Sequence, residues 1–271
     1  MNILETIIAY KKVEVSTRKR DVSMSVLEKR AFFGRKTFSL QEFLLNKEKS
    51  GIIAEFKRRS PSRGIINDKA GIVDVTKGYA DSGASGLSVL TDEHFFGGSD
   101  EDLIKARVNE IPLLRKDFII DQYQVAEAKS IGADVILLIA ACLEPAEVKK
   151  LAGYARSLGL EVLLELHDES ELGHICDDTG IIGVNNRNLK TFAVDIDRSL
   201  NMARKIPADK IKVAESGINS VENIILFKEN GFNGFLIGEN FMKEADPAIA
   251  FALFVKTLQT FRNSADGVTR R

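Results

Sequence analysis

An α/β chain closed into a barrel of eight parallel strands is predicted, on three observations. Eight short β-rich runs recur through the body of the sequence: Ile52–Lys57, Gly86–Leu90, Pro112–Lys116, Val135–Ala140, Glu161–Glu165, Ile181–Asn185, Ile211–Glu215 and Gly234–Gly238. The gaps between them suit one helix and two loops, the rhythm of a parallel sheet. No G-x-G-x-x-G follows the first run, which argues against an open dinucleotide-binding sheet, and a count of eight favours closure. The expected architecture is a (β/α)8 TIM barrel with additional N-terminal helices, for which 271 residues are an ordinary length.

Residues 1–50 come before the first run. They are rich in charge, with helical spacing over Ile3–Lys12 and Val22–Phe33. That is too long for a loop and too small for a domain of its own, so one domain over 1–271 is expected, with residues 1–50 as a helical extension that caps a barrel end or lies over the site. Between the runs, Gln122–Ile131, Pro145–Leu158 and Val221–Glu229 have amphipathic helical spacing. Each is followed by a glycine where a helix C-cap wants one: Gly132, Gly159 and Gly231. Asn263–Arg271 reads as a frayed tail.

Composition narrows the function. With 38 basic and 39 acidic residues and a net charge of −1, neither nucleic acid nor an anionic membrane is expected as a partner. Cys142 and Cys176 lie far apart, form no metal or redox motif, and are expected to stay reduced. Glu5 interrupts the apolar start and no cleavage pattern follows, so no signal peptide is expected. No apolar run approaches the roughly 20 residues of a membrane span. A cytoplasmic protein is expected.

In such a barrel the active site lies at the C-terminal strand ends, where a buried charge is costly unless paired or used. Side chains at i and i+2 of a strand share a face, so Glu55 and Lys57 project together from the first run. The third run ends at Lys116 and Asp117, the fifth at Glu165, and the sixth runs into Asn185, Asn186 and Arg187. The seventh ends at Glu215, Ser216 and Gly217, and the eighth at Gly238 and Glu239. A solvated rim would also be polar. This mixture of lysine, glutamate, arginine and asparagine nevertheless suits acid–base work on an anion. Gly217 and Gly238 would let a phosphate approach backbone N–H groups. Phe95-Phe96-Gly97-Gly98 reads either as a mobile aromatic wall or as a ring tucked under the rim. Arg58 and Arg59 read as solvated. His167 reads as a weak candidate for the mouth, and His94 and His174 as surface residues. No histidine or carboxylate spacing suggests a metal.

These residues resemble the indole-3-glycerol phosphate synthase family. The resemblance rests on Ile53-Ala54-Glu55-Phe56-Lys57-Arg58-Arg59-Ser60-Pro61-Ser62, Leu87-Ser88-Val89-Leu90-Thr91-Asp92, Leu114-Arg115-Lys116-Asp117-Phe118-Ile119, Leu163-Leu164-Glu165, Gly183-Val184-Asn185-Asn186-Arg187-Asn188-Leu189, Ala214-Glu215-Ser216-Gly217-Ile218 and Phe235-Leu236-Ile237-Gly238. The motifs fall in family order along nearly the whole chain. The resemblance implies ring closure, decarboxylation and dehydration of 1-(2-carboxyphenylamino)-1-deoxyribulose 5-phosphate in tryptophan biosynthesis, without a cofactor.

Site roles follow from the same resemblance. Lys116 is similar to the general acid and Glu165 to the general base. Lys57 is similar to the residue that holds the substrate carboxylate, with Glu55 balancing the lysines. Asn185 and Glu215 would act near the sugar. Ser60, Arg187, Ser216, Gly217, Gly238 and Glu239 would bind substrate, and Phe96 and Leu137 would sandwich the anthranilate ring. A monomer is implied, and association with other enzymes of the pathway stays open. Two positions depart from the family. Glu239 stands where some members have serine, so only its backbone N–H should face a phosphate. Arg115 stands where an apolar residue is common and by alternation should stay outside the barrel. A related isomerase acting on the preceding phosphoribosyl intermediate would be expected to carry a cysteine on the first strand, where this chain has Glu55 and Lys57. A barrel that binds but does not catalyse would lack part of the set Lys57, Lys116 and Glu165.

Overall fold

The computed structural model describes residues 3–187 and 193–268. Asn188 and Leu189, which end the fifth motif, lie outside the described residues, as do the last three of the expected tail. The strands are β1 (Ile52–Phe56), β2 (Arg59–Ser60), β3 (Gly64–Ile65), β4 (Gly86–Leu90), β5 (Leu113–Lys116), β6 (Val135–Ile139), β7 (Glu161–Leu166), β8 (Ile181–Asn185), β9 (Ile211–Glu215) and β10 (Gly234–Ile237). Eight of them close a parallel barrel in the order β1-β10-β9-β8-β7-β6-β5-β4, with β4 returning to β1. The eight expected runs match these strands to within a residue at each end. The small antiparallel ribbon β2–β3 was not anticipated.

Alternation sorts the side chains into two cores. Ile52, Ala54, Phe56, Leu87, Val89, Leu138 and Leu164 face outward under the helices. Ile53, Leu114, Leu137, Leu163, Ile181, Val213 and Leu236 fill the barrel interior. Burial on both faces is what makes these strands near-continuous apolar runs. One step beyond the interior layer, on the same face, come Lys57, Lys116, Glu165, Asn185 and Glu215. The mouth is thus where inward-facing positions change from aliphatic to charged.

Residues before β1 close both ends. Helix α1 (Ile3–Asp21) lies over the mouth, to which it contributes Ile3, Leu4 and Ile7. Helix α3 (Leu40–Leu45) plugs the opposite end with Leu40 and Leu44. Two of its N-terminal amides are satisfied by Glu161, which accepts from Leu40 N at 2.8 Å and Gln41 N at 3.2 Å, and also from the Ser39 hydroxyl at 2.5 Å. Between them the expected helix over 22–33 shortens to α2 (Met24–Leu27). Val22, Met24, Leu27 and Phe33 all enter one cluster with Val15 and Tyr123. At about 100° per residue a continuous helix would turn Val22 and Phe33 roughly half a turn away from Met24 and Leu27. Breaking the helix lets all four pack on one cluster, Leu27 fully buried and the others partly.

The outer helices start on side-chain caps. Asp92 serves α4 (Glu93–Phe96), Asp121 serves α5 (Gln122–Ser130), and Ser220 serves α7 (Val221–Glu229). Pro145 opens α6 (Pro145–Ser157). Gly132, Gly159 and Gly231 follow their helices with φ of 97°, 74° and 82°, the left-handed conformation such ends need. The tail reading is corrected: α8 runs from Pro247 to Val268 and holds most of it in helix.

Arg115 stays outside the barrel, as alternation requires. It is buried and bonded to Glu127 (2.8 Å), Asp100 (3.2 Å) and Asp117 (3.3 Å). Lys11 of α1 is also fully buried. Its Nζ lies 2.9 Å from Asp92, 3.0 Å from Asp117 and 2.8 Å from Glu14. Asp92 in turn caps the amides of Phe95 and Phe96, and Asp117 follows Lys116 directly.

Candidate active site

The C-terminal strand ends surround a cavity of about 590 Å³. Glu55, Lys57, Lys116, Glu165 and Asn185 converge on its floor from four strands and their ends. Phe96, Phe118 and Ile139 form an apolar wall, with the Phe96 and Phe118 ring centroids 6.0 Å apart. Ser60, Arg63, Arg187, Ser216, Gly217, Gly238, Glu239 and Lys243 form the opposite, polar end.

Two ion pairs organise the floor. Lys57 Nζ lies 2.8 Å from Glu55 Oε1, and Lys116 Nζ lies 3.3 Å from Glu165 Oε2. Asn185 Nδ2 donates to Glu165 Oε1 at 2.9 Å, and His167 Nε2 lies 2.9 Å from the same oxygen. Ser88 Oγ donates to the second oxygen of Glu55 at 3.3 Å.

Protonation follows from these contacts. Burial works against the charge of Lys116, but Glu165, Glu215 and Glu55 outweigh it and raise its pKa, so the ammonium persists. Burial likewise opposes charge on Glu165, yet Lys116, His167 and Asn185 hold it well below the usual carboxylate range. Glu55 is lowered against burial by Lys57, Lys116 and Ser88. Glu215 goes the other way: burial, then the neighbouring Glu165 charge, raise it well above the usual value. Three carboxyls thus divide into two anions and one group that favours its proton, which is how neighbouring acids acquire different duties.

Glycine makes room for this arrangement. A Cβ on Gly183 would lie 2.0 Å from Glu215 Oε1, and one on Gly238 would lie 2.7 Å from Glu55 Oε1. Neither carboxyl could occupy its place beside a larger residue. At the polar end Ser216 and Gly217 have φ of 68° and 70°, which turns successive backbone groups toward the cavity rim. Asn186 Nδ2 holds this turn through Ser216 O at 2.7 Å. The Glu239 carboxylate is directed at two arginines, 3.0 Å from Arg63 Nε and 3.8 Å from Arg187 Nη2.

Most of the expected site residues meet at this cavity, with corrections. Leu137 does not line it. It is buried one layer down in the barrel interior, and Ile139, two residues further along the same face of β6, takes the wall position. Glu215 lies beneath the cavity surface, next to Glu165. His167 touches Glu165 from a buried position, although its spacing made it a weak candidate. Arg58 and Arg59 are half-buried and paired, not freely solvated. Arg58 grips Asp102 through two bonds of 2.5 and 2.9 Å, and Arg59 donates to the carbonyls of Glu93 and His94. Their partners come from the next βα unit, which no local pattern reveals. The Cys142 thiol is pushed up by burial, then by Glu165 and Glu171, which disfavours the thiolate. Among the described residues, no group of three or more His, Cys, Asp or Glu is placed to hold a metal ion. No helix among them is long and apolar enough to cross a membrane.

Comparison with known proteins agrees with this geometry. In solved structures the barrel is similar to the tryptophan synthase α subunit of Legionella pneumophila, with a TM-score of 0.60 and 15% identity over 82% of this chain and 97% of that one. It is also similar to a chain of the Pyrococcus furiosus tryptophan synthase complex, with a TM-score of 0.58 and 16% identity over 79% of this chain and 99% of that one. At such identity the likeness is one of fold. Sequence relatives say more. The indole-3-glycerol phosphate synthase of Bacteroides thetaiotaomicron is 46% identical over 95% of this chain and 99% of its own length. That of Polaromonas sp. is 42% identical over 93% of this chain and 97% of its own. The profile of the same family matches residues 4–253. On that evidence the chain belongs to the indole-3-glycerol phosphate synthase family.

Proposed function

We propose that the cavity converts 1-(2-carboxyphenylamino)-1-deoxyribulose 5-phosphate to indole-3-glycerol phosphate, a carboxy-lyase reaction of tryptophan biosynthesis. The observation that carries this reading is the Lys116–Glu165 pair at the cavity floor, 3.3 Å apart and bordered by an aromatic wall. The anthranilate ring fits between Phe96 and Ile139. The phosphate fits the polar end, where Ser216, Gly217, Gly238 and the Glu239 backbone face Arg187 and Ser60.

Each partner of the Lys116–Glu165 pair holds the other charged. A substrate carbonyl oxygen entering between them weakens that hold. Lys116 then becomes a stronger acid and Glu165 a stronger base, at the moment each is needed. Lys116 protonates the carbonyl as the ring carbon attacks it, and Lys57 neutralises the substrate carboxylate. Carbon dioxide leaves with its bond pair returned to the ring. Loss of water then needs one proton delivered to the departing hydroxyl by the lysine pair, and one removed by Glu165. Glu55 fixes Lys57, Asn185 orients Glu165 and the hydroxyl, and protonated Glu215 supports Glu165 from below. These steps move protons and charge only and call for no cofactor. The reading takes the chain as a cytoplasmic monomer with one small anionic substrate, open to association with other enzymes of the pathway.

The test is indole fluorescence on adding the carboxyphenylamino substrate, read against a chain that has no Trp. Turnover is expected in the wild type. Lys116→Ala should lose it by at least about a hundredfold while still binding phosphate. Near-normal turnover in that variant would remove Lys116 from the mechanism.

A further inference from the structure

The β2–β3 ribbon is clamped at its base and exposed at its tip. At the base, Ile66 N donates to Arg58 O at 2.8 Å, Arg58 grips Asp102, and Asn67 Nδ2 donates to Met242 O at 3.1 Å. The tip, Pro61 to Ile65, is exposed. It is tied across the mouth by Arg63, whose Nε lies 3.0 Å from Glu239 Oε1. The other oxygen of Glu239 faces Arg187 Nη2 at 3.8 Å. One carboxylate therefore bridges two arginines at the end of the cavity assigned above to phosphate, and both arginines line that cavity.

We propose that Glu239 is an internal stand-in for the substrate phosphate. It occupies Arg63 and Arg187 in the free enzyme and surrenders them when phosphate binds, so that the ribbon tip closes on the ligand through Arg63. This deepens the phosphate reading of the mouth and rests on it. A half-exposed carboxylate–arginine pair is weak and easily exchanged. A phosphate dianion carries more charge and more acceptor oxygens, and it satisfies two arginines better than one carboxylate can. Once phosphate is present, a carboxylate beside it is repelled, which drives Glu239 aside and leaves Arg63 to the ligand. Ligands with a weaker anion cannot displace Glu239. The residue thus acts as a specificity determinant, making the tip respond to phosphate and not merely to a molecule in the cavity.

The experiment is a calorimetric titration with inorganic phosphate at low ionic strength, which needs no turnover. It compares wild type, Glu239→Gln, Arg63→Ala and the double variant. Glu239→Gln is expected to tighten phosphate about threefold to tenfold, because the competitor has lost its charge while its shape is kept. Arg63→Ala is expected to weaken phosphate by a similar factor. In the Arg63→Ala background the effect of Glu239→Gln should be smaller, because only Arg187 is then left to free. Unchanged or weaker binding in Glu239→Gln overturns the proposal, as does equal tightening with and without Arg63. No detectable phosphate binding to the wild type also overturns it. Turnover by the wild type separates the two readings. Indole formation with no Glu239 effect removes the exchange and leaves the synthase reading. The expected phosphate couplings without indole formation do the reverse.

Discussion

Replacing Lys11 with methionine keeps an unbranched side chain, one atom shorter, and removes its charge. In the wild type its Nζ neutralises Asp92 and Asp117, whose side chains are 0% and 1% exposed. Its third partner, Glu14, is 20% exposed and also bound to Arg18, so it loses little. Asp117 keeps Thr91 Oγ1 at 2.7 Å and Arg115 at 3.3 Å. Asp92 keeps only its two capping amides. The variant thus leaves one buried carboxylate uncompensated and a second partly so, which costs about 3 kcal/mol, the lower end for a broken buried pair. At about 2–4 °C per kcal/mol for a chain of this size, the melting temperature should fall by about 6–12 °C.

The gap should depend on pH. Against burial, Lys11 and Arg115 depress the folded-state pKa of Asp117, so its contribution is present above the ordinary aspartate value near 4 and is lost as pH falls below that. Lys11 is raised against burial by Asp117 and Asp92, so its contribution is lost only above its ordinary value near 10.5. Between pH 5 and 9 the deficit should be constant, and below about pH 4 it should narrow. Denaturant unfolding of both proteins across that range measures it. A Lys11→Met protein within about 0.5 kcal/mol of wild type at pH 7 would refute the reasoning.

Two other substitutions test the site. Glu215→Gln replaces a carboxyl that favours its proton, so it should keep turnover within about tenfold of wild type. Its stability advantage should grow as pH rises above about 4.5, since a raised carboxyl makes wild-type stability fall with pH there; pH-dependent unfolding and the indole assay read both. Leu137→Ala should cost about 2–5 kcal/mol as a core cavity, whereas Ile139→Ala should chiefly raise KM by removing the ring's wall; the reverse pattern would restore Leu137 to the cavity.

The barrel was legible because period-two alternation within runs, and helix-sized gaps between them, are local signals. Alternation alone kept Arg115 out of the interior and brought Glu55 and Lys57 to one face. It says which face a residue takes but not how far along the barrel axis it lies, and that is why Leu137 stood in for Ile139. The ribbon escaped notice because two-residue strands of mixed polarity have no periodicity to read. Arg58 and Arg59 find their partners in the next βα unit, so their pairing left no trace in neighbouring residues. The direction of the Glu165 and Glu215 shifts likewise depends on which charges meet in space.

Fastening both barrel ends with residues that precede the first strand has a consequence in time. Arg18 waits for Glu127, 109 positions later, and Ser39 for Glu161, 122 positions later. At the usual 5–20 residues per second of synthesis, those partners emerge roughly 5–25 s after the residues that need them. For that interval Leu40, Leu44 and the apolar side of the first helix lack part of their cover. The earliest-made part of the chain is therefore among the last to dock. Its long-range pairings set a late step in folding and an interval in which a chaperone has apolar surface to hold.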